Sequence, residues 1–350
     1  MSDCSILDEL NSRAYERCIP LNVTLELTLR CNIRCTHCYN FDRDQPRPAS
    51  AAELSMPEIR TLLGDLRRAG TLFLTLTGGE AMAHPRFWEI SEDALSSGFA
   101  LQVLSNGTLL TEQACDRFAG YPGLWGVSLS VYGATAGTHD AVTQVPGSFE
   151  RTMSGARRLR GKGVRTSLKF IVMKGNAAEV EAMIAMGDRE GFAYAVDPTI
   201  TGRYDGTSGS LATRVDAEEL ETLYRGPLQG LVTGPRPEPA DDDFKCNCAR
   251  GNAAVSSTGE VYPCIATPLR AGSIREQSFG EIWERSPVFQ RIRSLKIADF
   301  PTCAPCDLKR WCRRTPGPAY LLTGDYTGVD PWACREAAVL KSLSPANRPA

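Results

Sequence analysis

The segment LNVTLELTLRCNIRCTHCYN (residues 21–40) decides the fold of this chain. Its first part, residues 21–29, alternates between aliphatic and polar or β-branched side chains, which is typical of a β-strand with one buried face. Three cysteines with the spacing C-x3-C-x2-C follow directly: Cys31, Cys35 and Cys38. Because the carboxyl ends of parallel strands carry the functional loops of α/β barrels, this arrangement predicts a site at the end of the first strand.

The residues that follow repeat a strand–helix pattern. Six strand segments, separated by segments of helical period, occupy about 180 residues. This alternation predicts an α/β fold with a parallel sheet covered by helices, in the form of a partial (β/α)6 barrel of the TIM type. The predicted strands are 21–29, 71–76, 100–104, 125–131, 164–172 and 193–197, and the predicted helices are 53–69, 86–97, 111–119, 149–160 and 177–189.

Short polar motifs lie at the ends of these strands. TGGE (77–80) follows the second strand, SNGT (105–108) follows the third, and SLS (128–130) ends the fourth. Glycine permits close approach of the backbone, and a carboxylate such as that of Glu80 pairs with a cation. Each motif alone is most often a turn, but their order on successive strand ends predicts a single functional site.

The composition is ordinary except for cysteine. The 350 residues include 39 Lys and Arg against 41 Asp and Glu, so no polybasic surface for nucleic acid is expected. The sequence offers no apolar run of membrane-spanning length and no secretory signal at its start, which predicts a cytoplasmic protein without a membrane span. Thirteen cysteines, an odd number, favour metal or redox use over disulfides.

The cysteines fall into three sets and three isolated residues. Three or four close thiolates suit an iron–sulfur cluster, because soft sulfur ligands hold iron. Zinc is the alternative; it is open for Cys303 and Cys306 taken alone, and weak for the first set, which has no fourth ligand nearby. The first set is Cys31, Cys35 and Cys38; the second is Cys246, Cys248 and Cys264; the third is Cys303, Cys306, Cys312 and Cys334; Cys4, Cys18 and Cys115 are isolated.

The run TLRCNIRCTHCYN (28–40), with an aromatic residue after the third cysteine, resembles the signature of radical S-adenosylmethionine (radical SAM) enzymes. In that family three cysteines hold a [4Fe–4S] cluster whose open iron binds the methionine moiety. An electron from the cluster then splits the sulfonium to give a 5'-deoxyadenosyl radical. The resemblance implies [4Fe–4S] clusters and S-adenosyl-L-methionine as cofactors, and an external electron donor of the flavodoxin or ferredoxin type.

The strand-end motifs match positions of the same family. TGGE resembles the motif that meets the methionine amino group, although Ala81 replaces the usual proline after it. SNGT resembles the end of the third strand, and the two serines of SLS resemble residues that bond the ribose and carboxylate. The cofactor-binding residues implied by the resemblance are Gly78, Gly79, Glu80, Ser105, Asn106, Ser128, Ser130 and Lys169.

The C-terminal third resembles the SPASM extension of radical SAM enzymes, which normally holds two auxiliary four-iron clusters. The resemblance rests on the STGEVYPC hairpin (257–264), the cysteine spacing and the W-x-C ending (332–334). By the family's pairing, the third set ligates the distal cluster. The implied organisation is an N-terminal segment (1–20), the barrel (21–198), a polar bridge (199–243) with one helix near 216–225, the SPASM domain (244–342) and a tail (343–350).

One cysteine of the family's proximal cluster is missing. The pairing implies Cys248, Cys264 and a further cysteine shortly after Cys312, where this chain has RRTP (313–316). Three readings stay open. Cys246 compensates as a cluster ligand and leaves an open iron for substrate, or the proximal cluster is altered or absent. In the third reading Cys246 is a free thiol that donates a hydrogen atom to a substrate radical.

The resemblance leaves the substrate open. SPASM proteins most often modify peptides, and residues 131–152 resemble a segment of the peptide-modifying members. The leading hypothesis is therefore a maturase that crosslinks, oxidises or epimerises a ribosomally made peptide. Sulfatase maturation is less favoured, because Ile265 occupies the position of that subfamily's basic Asp.

Two further hypotheses remain. About twenty residues precede the first strand, fewer than a leader-recognition domain needs, so the substrate could be a small molecule. That alternative is an epimerase or alcohol dehydrogenase acting on an aminoglycoside or another sugar, with Asp197 or Asp205 as a candidate acid. A non-enzymatic iron–sulfur electron carrier is the third hypothesis; the GGE and SNGT motifs argue against it, because a carrier needs no methionine pocket.

Overall fold

A single β-sheet forms the centre of the molecule. The computed structural model describes residues 6–40, 52–232, 234–240, 243 and 246–344, so Cys4 lies outside the described residues. Within them the strands are β1 (Asn22–Thr28), β2 (Phe73–Gly78), β3 (Ala100–Ser105), β4 (Leu124–Val131), β5 (Thr166–Ile171), β6 (Ala193–Asp197), β7 (Asn252–Val255), β8 (Glu260–Tyr262) and β9 (Gly272–Ser273). Their order in the sheet is β6-β5-β4-β3-β2-β1-β7-β8-β9.

The six strands of the predicted barrel are present. β1 to β6 are parallel and lie next to one another in chain order. This confirms the α/β fold class, and every predicted strand end is within two residues of the observed one. The largest shift concerns β2, which runs to Gly78, so the TGGE motif begins inside the strand and not after it.

The sheet continues beyond the barrel into the C-terminal part of the chain. β7 pairs in parallel with β1, from Asn22 opposite Asn252 to Leu25 opposite Val255. β8 and β9 then add in antiparallel fashion, and β7 with β8 forms the predicted hairpin. The predicted limits 21–198, 199–243 and 244–342 remain a proposal about organisation; the sheet itself is shared by the first and last of these parts.

Helices pack against the sheet and link its strands. In chain order they are α1 (Ile6–Arg17), α2 (Met56–Arg68), α3 (Phe87–Ser96), α4 (Glu112–Ala119), α5 (Ala136–Thr143), α6 (Ser148–Gly161), α7 (Val180–Glu190), α8 (Ala217–Arg225), α9 (Phe279–Arg285), α10 (Pro287–Ser294), α11 (Pro316–Thr323) and α12 (Pro331–Leu343). The five predicted barrel helices and the bridge helix are present, whereas α1 and α5 were not predicted. Among the described helices, none combines the length and the apolar character that a membrane crossing requires.

The barrel strands present two different faces because side chains alternate along each strand. One face is aliphatic and packs under the helices in the main core, with Leu25, Leu76, Val103 and Leu129 among its members. The opposite face, called the polar face below, carries the residues between them: Thr24, Glu26, Thr28, Thr75, Thr77, Gln102, Leu104, Ser128, Ser130, Ser167 and Lys169. The alternation in the sequence thus places most of the polar side chains of the barrel strands together on one face of the sheet.

A buried ion pair fastens the bridge to the C-terminal helix. Arg214 donates to both carboxylate oxygens of Asp330 at 3.2 and 3.1 Å, and the two side chains are only 12% and 3% exposed. Asp330 also caps α12 by accepting from the Trp332 backbone N–H at 3.0 Å. The Trp332 indole in turn donates to the Val215 carbonyl at 3.0 Å. These contacts close a second, smaller core between α8 and α12.

Replacing Arg214 with Met should lower the free energy of unfolding by about 3–5 kcal/mol, because Asp330 would remain buried without its cation. Urea unfolding of the full chain measures this. The matched control is Arg225→Met, which removes an exposed pair with Glu221 and should cost at most about 1 kcal/mol. Equal, small losses for both variants would contradict a structural role for the Arg214–Asp330 pair.

Candidate functional site

The end of β2 lies directly on the end of β1. The Gly79 N–H donates to the Thr28 carbonyl at 2.7 Å, and the Glu80 N–H donates to the Arg30 carbonyl at 2.8 Å. Gly78 has a φ of +144°, and a Cβ there would stand 2.2 Å from the Thr28 carbonyl oxygen; one at Gly79 would stand 2.4 Å from that of Arg30. Only glycine fits this contact, so TGGE holds the start of the first cysteine loop.

Glu80 ties β2 to the end of β3. Its buried carboxylate accepts from the Asn106 backbone N–H at 2.7 Å and from the Ser105 hydroxyl at 2.9 Å, and it also accepts from the Met82 N–H at 3.1 Å. Burial raises the pKa of Glu80, while these three donors act in the opposite direction. The carboxylate therefore positions SNGT; its predicted contact with a methionine amino group remains a proposal.

Neighbouring elements support the first cysteine set. The Asn106 side-chain amide lies 3.8 Å from the Cys31 sulfur and donates to the Asn32 side-chain oxygen at 2.9 Å. On the other side, α5 ends beneath the loop, where its last carbonyls accept from the Arg34 and Thr36 N–H groups at 2.8 and 3.0 Å. The loop is therefore held by β2, β3 and α5, and none of its three cysteines is in a disulfide within the described residues.

Aromatic rings and the bridge segment cover the same loop. The His37 ring packs edge-on against Tyr132 with 4.8 Å between centroids, and Tyr39 packs edge-on against Tyr204 at 5.2 Å. The Tyr204 N–H donates to the Tyr39 carbonyl at 2.8 Å. Arg203, which is buried, donates to the Cys38 carbonyl at 3.2 Å. The bridge thus contributes Arg203 and Tyr204 to the site, which the motifs did not indicate.

The polar face meets solvent near β5 and β6. The Lys169 ammonium lies 3.3 Å from the Asp197 carboxylate, and the two side chains are 48% and 36% exposed. Ser128 accepts a hydrogen bond from Ser167 at 3.1 Å, on the same face as Ser130. Asp197 is therefore the partner of Lys169 on this face. The other candidate acid, Asp205, accepts from the Thr207 N–H and hydroxyl within its own turn.

Glu26 is a candidate functional residue that lies outside the sequence motifs. It stands opposite Thr77 in the sheet, is only 3% exposed, and its Oε1 atom has no hydrogen-bond partner among the described residues. Burial raises its pKa from 4.5 to about 7. The Tyr204 and Tyr262 hydroxyls lie within electrostatic range, and that of Tyr204 is likewise buried without a partner in the described chain. The available signal was that Glu26 is the single charged residue of β1.

The second cysteine set forms one group of thiols. The sulfur atoms of Cys246 and Cys248 are 3.2 Å apart, and hydrogen bonds with Cys246 and with Cys264 raise the pKa of Cys248. The Cys264 sulfur also lies 3.3 Å from the Thr267 hydroxyl. The side-chain hydrogen bond between Cys246 and Cys248 lowers the pKa of Cys246 to about 6. The structure therefore places Cys246 beside the other two cysteines.

The third cysteine set also comes together. Burial raises the pKa of Cys334, and the thiols of Cys312, Cys303 and Cys306 raise it further, which places all four in one neighbourhood. The Leu308 N–H donates to the Cys306 sulfur at 3.4 Å, and the Arg314 N–H donates to the Cys312 sulfur at 3.4 Å. Backbone donors aimed at sulfur are a means by which proteins tune iron–sulfur clusters.

No disulfide or single-ion site is formed by these sets. None of the twelve described cysteines is in a disulfide. Over the described ranges, no group of three or more His, Cys, Asp or Glu side chains is arranged to hold one metal ion.

Known protein families match both the N-terminal and the C-terminal part of the chain. A family model described as the radical SAM superfamily matches residues 25–186, and the SPASM model, described as an iron–sulfur cluster-binding domain, matches residues 246–307. The AdoMet-dependent heme synthase of Methanosarcina barkeri is 30% identical over 341 residues, 89% of this chain and 96% of the relative. The PqqA peptide cyclase of Gluconobacter oxydans is 28% identical over 333 residues, 89% of this chain and 90% of the relative.

A solved structure has the same fold. Native anSMEcpe with bound AdoMet superposes with a TM-score of 0.65, covering 93% of this chain and 96% of that chain. The two sequences are 17% identical, so this similarity concerns the fold alone.

Replacing Glu26 with Gln should change how stability depends on pH. The pKa of this carboxyl group is higher in the folded chain than in the unfolded chain. Such a group stabilises the folded state less and less as the pH rises from the unfolded pKa to the folded pKa, here from 4.5 to about 7. Relative to Glu26→Gln, the wild-type free energy of unfolding should therefore fall by roughly 3 kcal/mol across that interval.

Chemical denaturation at a series of pH values measures the difference. Glu16→Gln, on the exposed side of α1, is the matched control and should leave the pH profile unchanged. A constant difference between wild type and Glu26→Gln at all pH values would contradict the buried-acid description.

Proposed function

The chain belongs to the radical SAM superfamily, with a SPASM iron–sulfur domain after its barrel, and on this premise we propose that it abstracts a hydrogen atom from a tetrapyrrole substrate. It is an enzyme, and its cofactors are [4Fe–4S] clusters and S-adenosyl-L-methionine. When bound, these cofactors supply a 5'-deoxyadenosyl radical. The substrate, the reaction outcome and the roles of individual residues are our proposals.

The residues at the strand ends fit such cofactors. The glycines of TGGE allow close backbone approach and brace the first cysteine loop, whose three thiols are not in disulfides. We assign Cys31, Cys35 and Cys38 to the radical cluster. The cofactor-binding assignment covers Gly78, Gly79, Glu80, Ser105, Asn106, Ser128, Ser130 and Lys169. Glu80 acts mainly as a positioning residue in this scheme, because protein donors already meet its carboxylate.

The tetrapyrrole proposal rests on one observation, the similarity to an AdoMet-dependent heme synthase over nearly the whole of both chains. The polar face supports it. Lys169 offers a half-exposed ammonium on that face, and its present partner is the less exposed carboxylate of Asp197. A carboxylate side chain of a tetrapyrrole is chemically equivalent to that partner and would compete for the same cation.

A ribosomally made peptide is the second candidate. Its support is the similarity to a PqqA peptide cyclase, which also spans nearly the whole of both chains at lower identity. A peptide would lie along the same polar face, and the reaction would be a crosslink, an oxidation or an epimerisation. For either substrate, we propose that the reducing electron comes from an external flavodoxin or ferredoxin.

The substrate test uses anaerobically reconstituted full-length protein with dithionite and S-adenosylmethionine in deuterated water. An iron porphyrin with carboxylate side chains should raise 5'-deoxyadenosine formation about tenfold over the substrate-free rate, and the porphyrin should be recovered with a changed mass. Peptides encoded beside the gene are the second arm; a response to them alone would favour the peptide candidate and reject the tetrapyrrole. A mass gain of one unit in a peptide would indicate epimerisation, and a loss of two an oxidation or crosslink.

Replacing Cys31, Cys35 and Cys38 together with Ala should abolish 5'-deoxyadenosine formation while iron bound by the C-terminal cysteines remains. Iron analysis and chromatography of the nucleoside products measure the two quantities. Cys18→Ala is the matched control, because Cys18 is a free thiol outside the three sets. Continued cleavage in the triple variant would contradict the assignment of the radical cluster.

A further inference from the structure

The four cysteines of the third set lie near the protein surface. Each of them is partly exposed: Cys303, Cys306, Cys312 and Cys334. The loop that carries the first three is compact, because the Cys306 N–H donates to the Cys303 carbonyl at 3.1 Å and the Cys312 N–H donates to the Lys309 carbonyl at 3.4 Å. A redox group bound by these thiols would therefore stand within reach of a second protein.

Two further segments pack against this loop. From the bridge, the Arg236 N–H donates to the Arg310 carbonyl at 3.0 Å, and the Arg310 Nε donates to the Arg236 carbonyl at 2.8 Å. From α12, the Lys341 ammonium donates to the Asp307 carboxylate at 2.6 Å and lies 5.5 Å from the centroid of the Trp311 ring. The bridge, the loop and α12 are thus joined at the surface around the third set.

The surface that these segments form is basic, although the whole chain has a formal net charge of -2. Five cations lie on or beside the loop and define what is called the basic surface below: Arg236, Lys309, Arg310, Arg335 and Lys341. Two acids pair with them. Glu238 lies 2.9 Å from Lys309 and 3.8 Å from Arg310, and Asp307 pairs with Lys341. Five cations against two acids leave a charge of +3 over these seven residues.

A protein that delivers electrons needs such a surface. The proposed chemistry consumes one electron for each S-adenosylmethionine that is split, and electron-carrier proteins of the flavodoxin and ferredoxin type are acidic. Opposite charges on two partners raise their rate of encounter and orient them, which matters most for the small interfaces of electron-transfer complexes. The carboxyl ends of the barrel strands are assigned to cofactor and substrate, and a carrier on the basic surface leaves them free.

We propose that the basic surface is the docking site of an acidic electron-carrier protein, and that the electron enters the enzyme at the third cysteine set. In this step the reduced carrier loses one electron, and the oxidised [4Fe–4S] cluster assigned to the third set gains it, with no transfer of atoms. The inference rests on the proposed external electron donor. It is the same for a tetrapyrrole and for a peptide substrate.

The test reverses the charge of two exposed arginines of this surface. Arg236→Glu/Arg335→Glu changes the charge of the seven residues from +3 to -1, so the holoenzyme should bind a flavodoxin with an association rate constant about tenfold lower at low ionic strength. Surface plasmon resonance measures this rate, and added salt should weaken the wild-type complex. Arg189→Glu/Arg285→Glu, exposed on α7 and α9, is the matched control; it alters the net charge of the protein equally and should bind as wild type does.

Activity separates docking from catalysis. With reduced flavodoxin as the electron source, Arg236→Glu/Arg335→Glu should form 5'-deoxyadenosine about tenfold more slowly than wild type. With dithionite, which needs no docking site, the two rates should be equal. Absence of 5'-deoxyadenosine from wild type with dithionite would contradict the proposed function and not the docking site, because flavodoxin binding is measured independently.

Chemical cross-linking locates the contact. A carbodiimide joins a lysine amine to a carboxylate that touches it, so flavodoxin should be linked to the holoenzyme at Lys309 or Lys341. Equal association rates for the two double variants would overturn the proposal. So would cross-links confined to barrel lysines such as Lys162, or a wild-type enzyme that binds neither flavodoxin nor a ferredoxin.

Discussion

Two backbone hydrogen bonds between the ends of β1 and β2 are the contact on which the candidate site depends. Gly79 and Glu80 donate to the carbonyls of Thr28 and Arg30, immediately before the first cysteine of the loop. The approach is so close that a Cβ at either glycine of TGGE would collide with backbone atoms. Because backbone atoms cannot move aside as a flexible side chain can, the position of the cysteine loop is set by the sheet itself. The cysteine loop is therefore held as rigidly as the two parallel strands that it follows.

Further polar contacts connect the ends of β1 and β2 with the neighbouring elements. Glu80 fixes the start of SNGT, and Asn106 from that motif reaches back to Cys31 and Asn32. On the far side, α5 and the bridge residue Arg203 contact the loop backbone. Each strand end thus braces the next, which explains why polar motifs recur at successive strand ends although none of them alone is specific. The family match agrees with this arrangement over residues 25–186.

The strands and most helices could be predicted, because their signals are local. Alternation of apolar and polar residues marks β1 to β6, and its period places the polar face on one side of the sheet. The helix α5 (Ala136–Thr143) escaped prediction because Gly and β-branched residues weaken its helical signal. β7 is short, and its parallel pairing with β1 joins residues more than two hundred positions apart. No local pattern contains such a pairing, so the continuity of barrel and C-terminal sheet appeared only in the structure.

By itself the sequence determined the kind of chemistry, since cysteine spacing within one loop and the order of motifs along the strands are local properties that the fold preserves. It also indicated that a ligand was missing after Cys312. The tertiary structure decided which side chains meet, such as Cys246 with Cys248 and Lys169 with Asp197, and it decided that Glu26 is buried. These contacts depend on how distant segments of the chain pack together, and on which polar atoms this packing separates from water. That is a property of the folded core as a whole, and residue spacing does not encode it.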